Sequence, residues 1–187
     1  GFVFGRFDDS GDCYAGGIAV LENTALHMYG GNVVGNRTTG DLETYGGGIA
    51  AFRATVELAG GSVAGNASGS GGGLFLRDTA FTISGSAAVR DNRAETGGGL
   101  YAEKRTLNPE MLLTGGMITD NMATDGRGGG IYPAGGTIYV SHAPQVSGNT
   151  AGGVAENLFL PSGRLVELAG ALETDARIGV TTQDRPS

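Results

Sequence analysis

Residues 60–76, GGSVAGNASGSGGGLFL, decide how this chain folds. Seven of the first fourteen positions are glycine, the apolar residues come in short bursts, and Asn66 follows Gly65 at the centre. That pattern has neither the period of an amphipathic helix nor the long alternation of an ordinary strand. Working outward, a Gly-Gly pair followed by an aliphatic residue recurs at Gly16-Gly17-Ile18, Gly47-Gly48-Ile49, Gly72-Gly73-Leu74, Gly98-Gly99-Leu100, Gly129-Gly130-Ile131 and Gly152-Gly153-Val154. The aliphatics are spaced 31, 25, 26, 31 and 23 residues apart, and every interval holds an aliphatic-x-x-Asn motif ending at Asn36, Asn66, Asn92, Asn121 or Asn149. Self-similarity at this period marks units that bury their apolar faces only by stacking.

Each unit also carries a middle segment of period-2 alternation: Val56-Glu57-Leu58, Phe81-Thr82-Ile83, Met111-Leu112-Leu113, Ile138-Tyr139-Val140 and Val166-Glu167-Leu168. The expected fold is all-β, a right-handed parallel β-helix (solenoid) with five full rungs and a C-terminal capping rung. Its expected divisions are residues 1–14 as an N-terminal cap or a truncated preceding rung, 15–153 as the repeats, 154–182 as the capping rung and 183–187 as the start of a linker. Alternation sends Ile18, Val20, Ile49, Ala51, Leu74, Leu76, Leu100, Ala102 and Ile131 inward with the middle-segment apolar residues. Asn36, Asn66, Asn92, Asn121 and Asn149 are expected to form an internal ladder, Asn being suited to the corner because it tolerates left-handed backbone. From Ala155 onward no aliphatic-x-x-Asn corner is read. Phe2, Phe4 and Phe7 precede the first unit without a repeat signature.

Among 187 residues there are 37 glycines, with no Gly-X-Y period and only 5 prolines, which excludes collagen. The formal net charge of −7 and a single lysine, Lys104, argue against a nucleic-acid partner, since little here displaces phosphate counterions. No apolar run is long enough for a membrane-spanning helix, so no membrane insertion is expected. Cys13, the one cysteine, makes no internal disulfide.

The repeated residues resemble two groups of bacterial β-helix proteins. Gly48-Ile49-Ala50 and Val63-Ala64-Gly65-Asn66 are similar to the GGA[ILV] and FxxN repeats of chlamydial polymorphic outer-membrane proteins, without the Phe. Val146-Ser-Gly-Asn-Thr-Ala151 and Gly128-Gly-Gly-Ile-Tyr132 resemble the Gly-rich repeats of large Firmicutes cell-surface proteins, and 157–161 and 178–182 look like the closing unit of such arrays. The resemblance covers about residues 15–182. It implies an extracellular or cell-surface location and a segment of a longer secreted chain, adhesin-like or scaffolding. It implies no catalytic residue and no cofactor.

Chemistry is expected in two places. Positions two residues after the second glycine, Ala19, Ala50, Phe75, Tyr101, Tyr132 and Ala155, point outward, so Phe75, Tyr101 and Tyr132 form an aromatic column on one face with Arg53, Arg77, Glu103, Lys104 and Arg105 nearby. Flat rings beside hydrogen-bonding charges suit saccharides; equally, like side chains stack along parallel sheets simply to stiffen them. The loops after each Asn leave from one edge with Asp41, Glu43, Glu95, Asp125 and Arg127, and Asp8, Asp9 and Asp12 near the first rung. Such carboxylates suit Ca²⁺ or a glycosidase acid and base pair, but no loop has the dense Asp spacing of a calcium site, so solvated loops are expected and no metal is assigned.

Polygalacturonase-like motifs are absent, and His27 and His142 lie on different segments without triad partners. The sequons at Asn36 and Asn66 fall on ladder residues. Three functions follow in order: a non-enzymatic surface module, a glycan-binding module using Phe75, Tyr101, Tyr132, Arg77 and Glu103, and a polysaccharide-degrading lyase or hydrolase using the loop edge. The partners implied are a host or microbial glycan or a surface protein.

Overall fold

The Gly-Gly-aliphatic segments become strands because each second glycine lets two stretches of backbone meet. A Cβ on Gly73 would lie 2.6 Å from the Gly99 carbonyl oxygen and 2.9 Å from Asn92 Nδ2, distances that no side chain tolerates. In the computed structural model, which describes residues 6–7, 13–39, 43–107 and 110–184, the chain is an all-β parallel β-solenoid of about six turns without helices. Strands Ile18–Val20, Ile49–Phe52, Leu74–Arg77, Leu100–Glu103, Ile131–Pro133, Leu158–Leu160 and Val180–Thr182 stack into one seven-stranded sheet. The repeat register survives intact at its centre: Ile49 pairs with Leu74, Leu74 with Leu100 and Leu100 with Ile131.

The opposite side is a ten-stranded sheet built from the middle and corner segments. In the first two turns these are single strands, Ala25–Val34 and Thr55–Ala64; later they split, as in Ala80–Ile83 with Ala88–Arg90. A short third side contains Arg93–Ala94, Met122–Ala123 and Thr150–Ala151. Between the sheets lies one apolar core, in which Ile49, Val56, Val63, Leu74, Val89, Leu100, Leu113 and Ile131 are fully buried. Ile18 is only half-buried, because Ile18–Val20 is the edge strand of its sheet among the described residues.

Two expectations fail at the C-terminal end. Gly152-Gly153-Val154 is not a sixth Gly-Gly-aliphatic repeat. Both glycines have positive φ, 55° and 79°, and turn the chain into an antiparallel pairing of Thr150–Ala151 with Val154–Ala155. Val154 is 69% exposed, and Leu158 takes the core position, paired with Ile131. The physical reason is that this pair has open space around it rather than an Asn corner to pack on. Likewise Leu168 pairs with Val140 as the alternation requires, yet is 71% exposed because Val166–Leu172 is the edge strand of its sheet among the described residues.

At the N-terminal end, Arg6–Phe7 pairs antiparallel with Cys13–Tyr14, which pairs in parallel with Thr44–Tyr45. Phe2, Phe4, Asp8, Asp9, Asp12 and Asp41 lie outside the described residues, as does the side chain of Phe7.

Candidate functional site

The Asn column forms an unbroken hydrogen-bond ladder. The side-chain amide and backbone N–H of Asn66 both donate to Asn92 Oδ1, each at 3.0 Å, and the same pair of bonds joins Asn36 to Asn66, Asn92 to Asn121 and Asn121 to Asn149. The second amide hydrogen goes one turn back, from Asn66 to the Val33 carbonyl and from Asn92 to that of Val63, at 2.9 Å each. Asn therefore recurs because a buried corner needs a donor and an acceptor facing opposite ways along the stack. The left-handed backbone is not its own, as expected above, but that of the residue before it: Gly35, Gly65, Asp91, Asp120 and Gly148 have φ from 57° to 70°.

The aromatic column is real and longer than Phe75, Tyr101 and Tyr132. Tyr45 meets Phe75 at 4.5 Å between centroids, Phe75 stacks on Tyr101 at 5.5 Å, Tyr101 contacts Tyr132 at 5.4 Å, and Tyr132 stacks on Phe159 at 5.7 Å. Phe159, not Ala155, continues it. The column is not an exposed platform, however. Phe75 is 0% exposed: with Ala15, Tyr45 and Ala50 it forms a second small core on the outer face of the sheet, lidded by Phe52 and by the Arg77 guanidinium 5.2 Å from its ring. Arg77 and Glu103 spend their charges on each other, with Arg105 a second partner of Glu103 at 3.2 Å. Tyr101 and Tyr132 are half-buried. Burial, with the Glu103 carboxylate nearby, pushes the Tyr101 phenol up to about 12.

An open cleft of 570 Å³ begins where the column stops, because the outward residue in the first turn is Ala19 and leaves a notch. Tyr14 and Phe52, in edge-to-face contact at 4.8 Å between centroids, line it with Arg53, Arg77, Arg105, Glu22 and the buried Asp78. Arg53 and Asp78 both sit in left-handed backbone, φ 48° and 52°, a costly conformation for such residues. Burial would raise the Asp78 carboxyl, but the N–H groups of Arg105, Thr106 and Leu107 and the Thr106 hydroxyl all donate to it and hold it at about 2. Sequence reading passed over Asp78; its only signal was a position at the same corner as Arg53.

Glu43 accepts a hydrogen bond from the Tyr45 hydroxyl, Arg127 lies 4.5 Å over the Phe159 ring, and a second cleft of 430 Å³ is lined by Arg37, Arg93 and hydroxyl side chains with Glu95. Among the described residues no group of three His, Cys, Asp or Glu side chains is placed to hold a metal ion. His27 pairs with Glu57 at 2.8 Å and His142 with Ser141 at 3.0 Å, on separate turns.

No family model, curated protein or solved structure matches this chain. The class it belongs to is therefore set by its architecture, the parallel β-solenoid.

Proposed function

We propose that this chain is a non-enzymatic module of a bacterial cell-surface protein, an adhesin-like or stalk segment of a longer secreted chain. The observation that carries the reading is that the side chains recurring turn after turn are used to stitch one turn to the next: the Asn ladder inside, the aromatic column outside, and the Arg77–Glu103 pair beside it. A stack so cross-linked resists shear along its axis, which is what a presenting rod requires. The resemblance of 128–132 and 146–151 to Gly-rich surface repeats supports the same reading. The test is incubation with pectic, mucin and host glycans, monitored for new reducing ends or an ultraviolet-absorbing unsaturated product. None is expected; turnover abolished by Glu95→Gln or Asp125→Asn would replace the module by an enzyme.

A second reading, glycan binding, is favoured by the cleft beside Ala19 that Tyr14 and Phe52 line. Aromatic rings beside ion-paired arginines and carboxylates give it the mixed surface first sought on Phe75, Tyr101 and Tyr132.

A further inference from the structure

The stretch that decides the fold also floors a second cleft on a different side of the rod. Arg37 is bridged in parallel to Ala67, and Ala67 to Arg93, so the two arginines occupy one column two turns apart with an alanine between them. At the spacing of parallel strands their backbones are about 10 Å apart. The short Ala67 side chain leaves the 430 Å³ hollow that both arginines line, with Glu95 and the hydroxyl side chains of Thr38, Thr39, Thr44, Ser68 and Thr124. The guanidiniums differ from every other arginine around the first cleft: among the described residues neither makes a hydrogen bond or an ion pair. A second observation points to a ligand. Thr38 is 5% exposed and lines this hollow, and its Oγ1 is the one buried side-chain polar atom without a hydrogen-bond partner among the described residues. Buried hydroxyls are otherwise satisfied, because leaving one unmade costs free energy.

Two guanidiniums against one carboxylate, Glu95, leave the described lining of this hollow positive in balance, on a chain whose net charge is −7. We infer that this cleft binds an anionic polysaccharide, one oxyanion (a carboxylate or sulfate ester) at Arg37 and a second at Arg93, with the sugar between them over Ala67 and its hydroxyls meeting Thr38 and Thr39. Guanidinium forks match both oxyanions. Alternate residues of an extended sugar chain repeat on the scale of two turns. Among the described residues the lining holds no aromatic ring on which a base would stack, which favours sugar over single-stranded nucleic acid. The inference rests on the surface-module reading and adds a ligand class to it.

The experiment is calorimetric titration of the intact chain with chondroitin sulfate, polygalacturonate, neutral dextran and inorganic sulfate. The two anionic polymers are expected to bind with an affinity that falls as salt rises, and dextran is expected not to bind. Arg37→Gln and Arg93→Gln should each weaken binding about tenfold or more, the loss of one charge-assisted contact, while Arg90→Gln, which breaks only the exposed pair with Asp91, should leave it unchanged. Thr38→Val should weaken binding without lowering the melting temperature, since no protein partner is lost. Failure of both polymers to bind, or full binding by the two arginine variants, overturns the inference. Inorganic sulfate binding as tightly as the polymers overturns its polysaccharide part. Either failure leaves the module reading standing, because that reading falls only if glycan turnover is seen.

Discussion

Asn157 Oδ1 accepts hydrogen bonds from both the backbone N–H and the side-chain amide of Asn149, at 2.8 and 3.0 Å, although Asn157 stands not in the Asn corner but beside the glycine column. It immediately precedes Leu158, the partner of Ile131, and so occupies the place of Gly130 one turn on. From there its amide reaches across the narrow waist of the solenoid to finish a ladder whose own corner ends at Asn149. Residues 150–155 are thereby free to leave as a hairpin.

Asn157 serves Asn149 only as an acceptor, so Asn157→Asp is expected to cost less than about 1 kcal/mol, whereas Asn157→Ala leaves two donors unpaired and costs about 1–3 kcal/mol. Asn92 must both donate and accept. Asn92→Asp, which turns a carboxylate toward the Val63 carbonyl and Asn121 Oδ1, is therefore expected to cost at least as much as Asn92→Ala. Urea unfolding of the four variants checks the ordering; a tolerated Asn92→Asp would show that the ladder's polarity is unimportant.

Gly73→Ala forces a Cβ against the Gly99 carbonyl and the Asn92 amide in the waist. We expect a loss of about 3 kcal/mol or more, the scale of a packed interior forced apart. Gly152→Ala meets nothing within 4 Å and carries only the strain of φ 55°, about 1 kcal/mol. Thermal melts of the two proteins should differ by a wide margin.

Asp78 holds down residues 105–107, and its carboxyl is depressed to about 2 from an ordinary 3.8. The folded form is the stronger acid, so its stabilisation is complete above about pH 4 and is lost as the pH falls toward 2. Amide exchange at Arg105, Thr106 and Leu107 should accelerate over that window. Asp78→Ala should show the faster exchange at neutral pH and no further acid step.

Tyr101 has the opposite sign. Its phenol ionises near 12 in the fold against 10 when free, so the stability it contributes is full below pH 10 and is lost as the pH rises to about 12. Ultraviolet titration should show a late-ionising tyrosine component that Tyr101→Phe removes. Replacing Tyr101 and Tyr132 together by Ala should destabilise by about 2–4 kcal/mol, because the pair packs on Phe75 and Phe159 rather than standing free. A double variant as stable as the parent would return the column to the surface.

Recurrence was enough to read the solenoid, the columns and the Asn ladder from residues alone. A parallel stack repeats one local environment, so each structural requirement is written into the chain several times. Gly48, Gly73 and Gly99 recur because each faces its own Asn, and Val63, Val89 and Ile118 because each fills the same slot. What occurs once is not legible that way. Gly152-Gly153 and Val154-Ala155-Glu156-Asn157 both have the letters of the repeat, but only the fold shows that Leu158 rather than Val154 takes the core position and that Asn157 closes the ladder from the glycine side. Phe75 alternates outward as expected, yet whether outward means exposed depends on Tyr45 and Phe52, which come from other strands and close over it. The clefts were invisible for the same reason. Each is a small side chain, Ala19 or Ala67, set between large ones that are neighbours only across turns, and the distance between turns belongs to the tertiary structure.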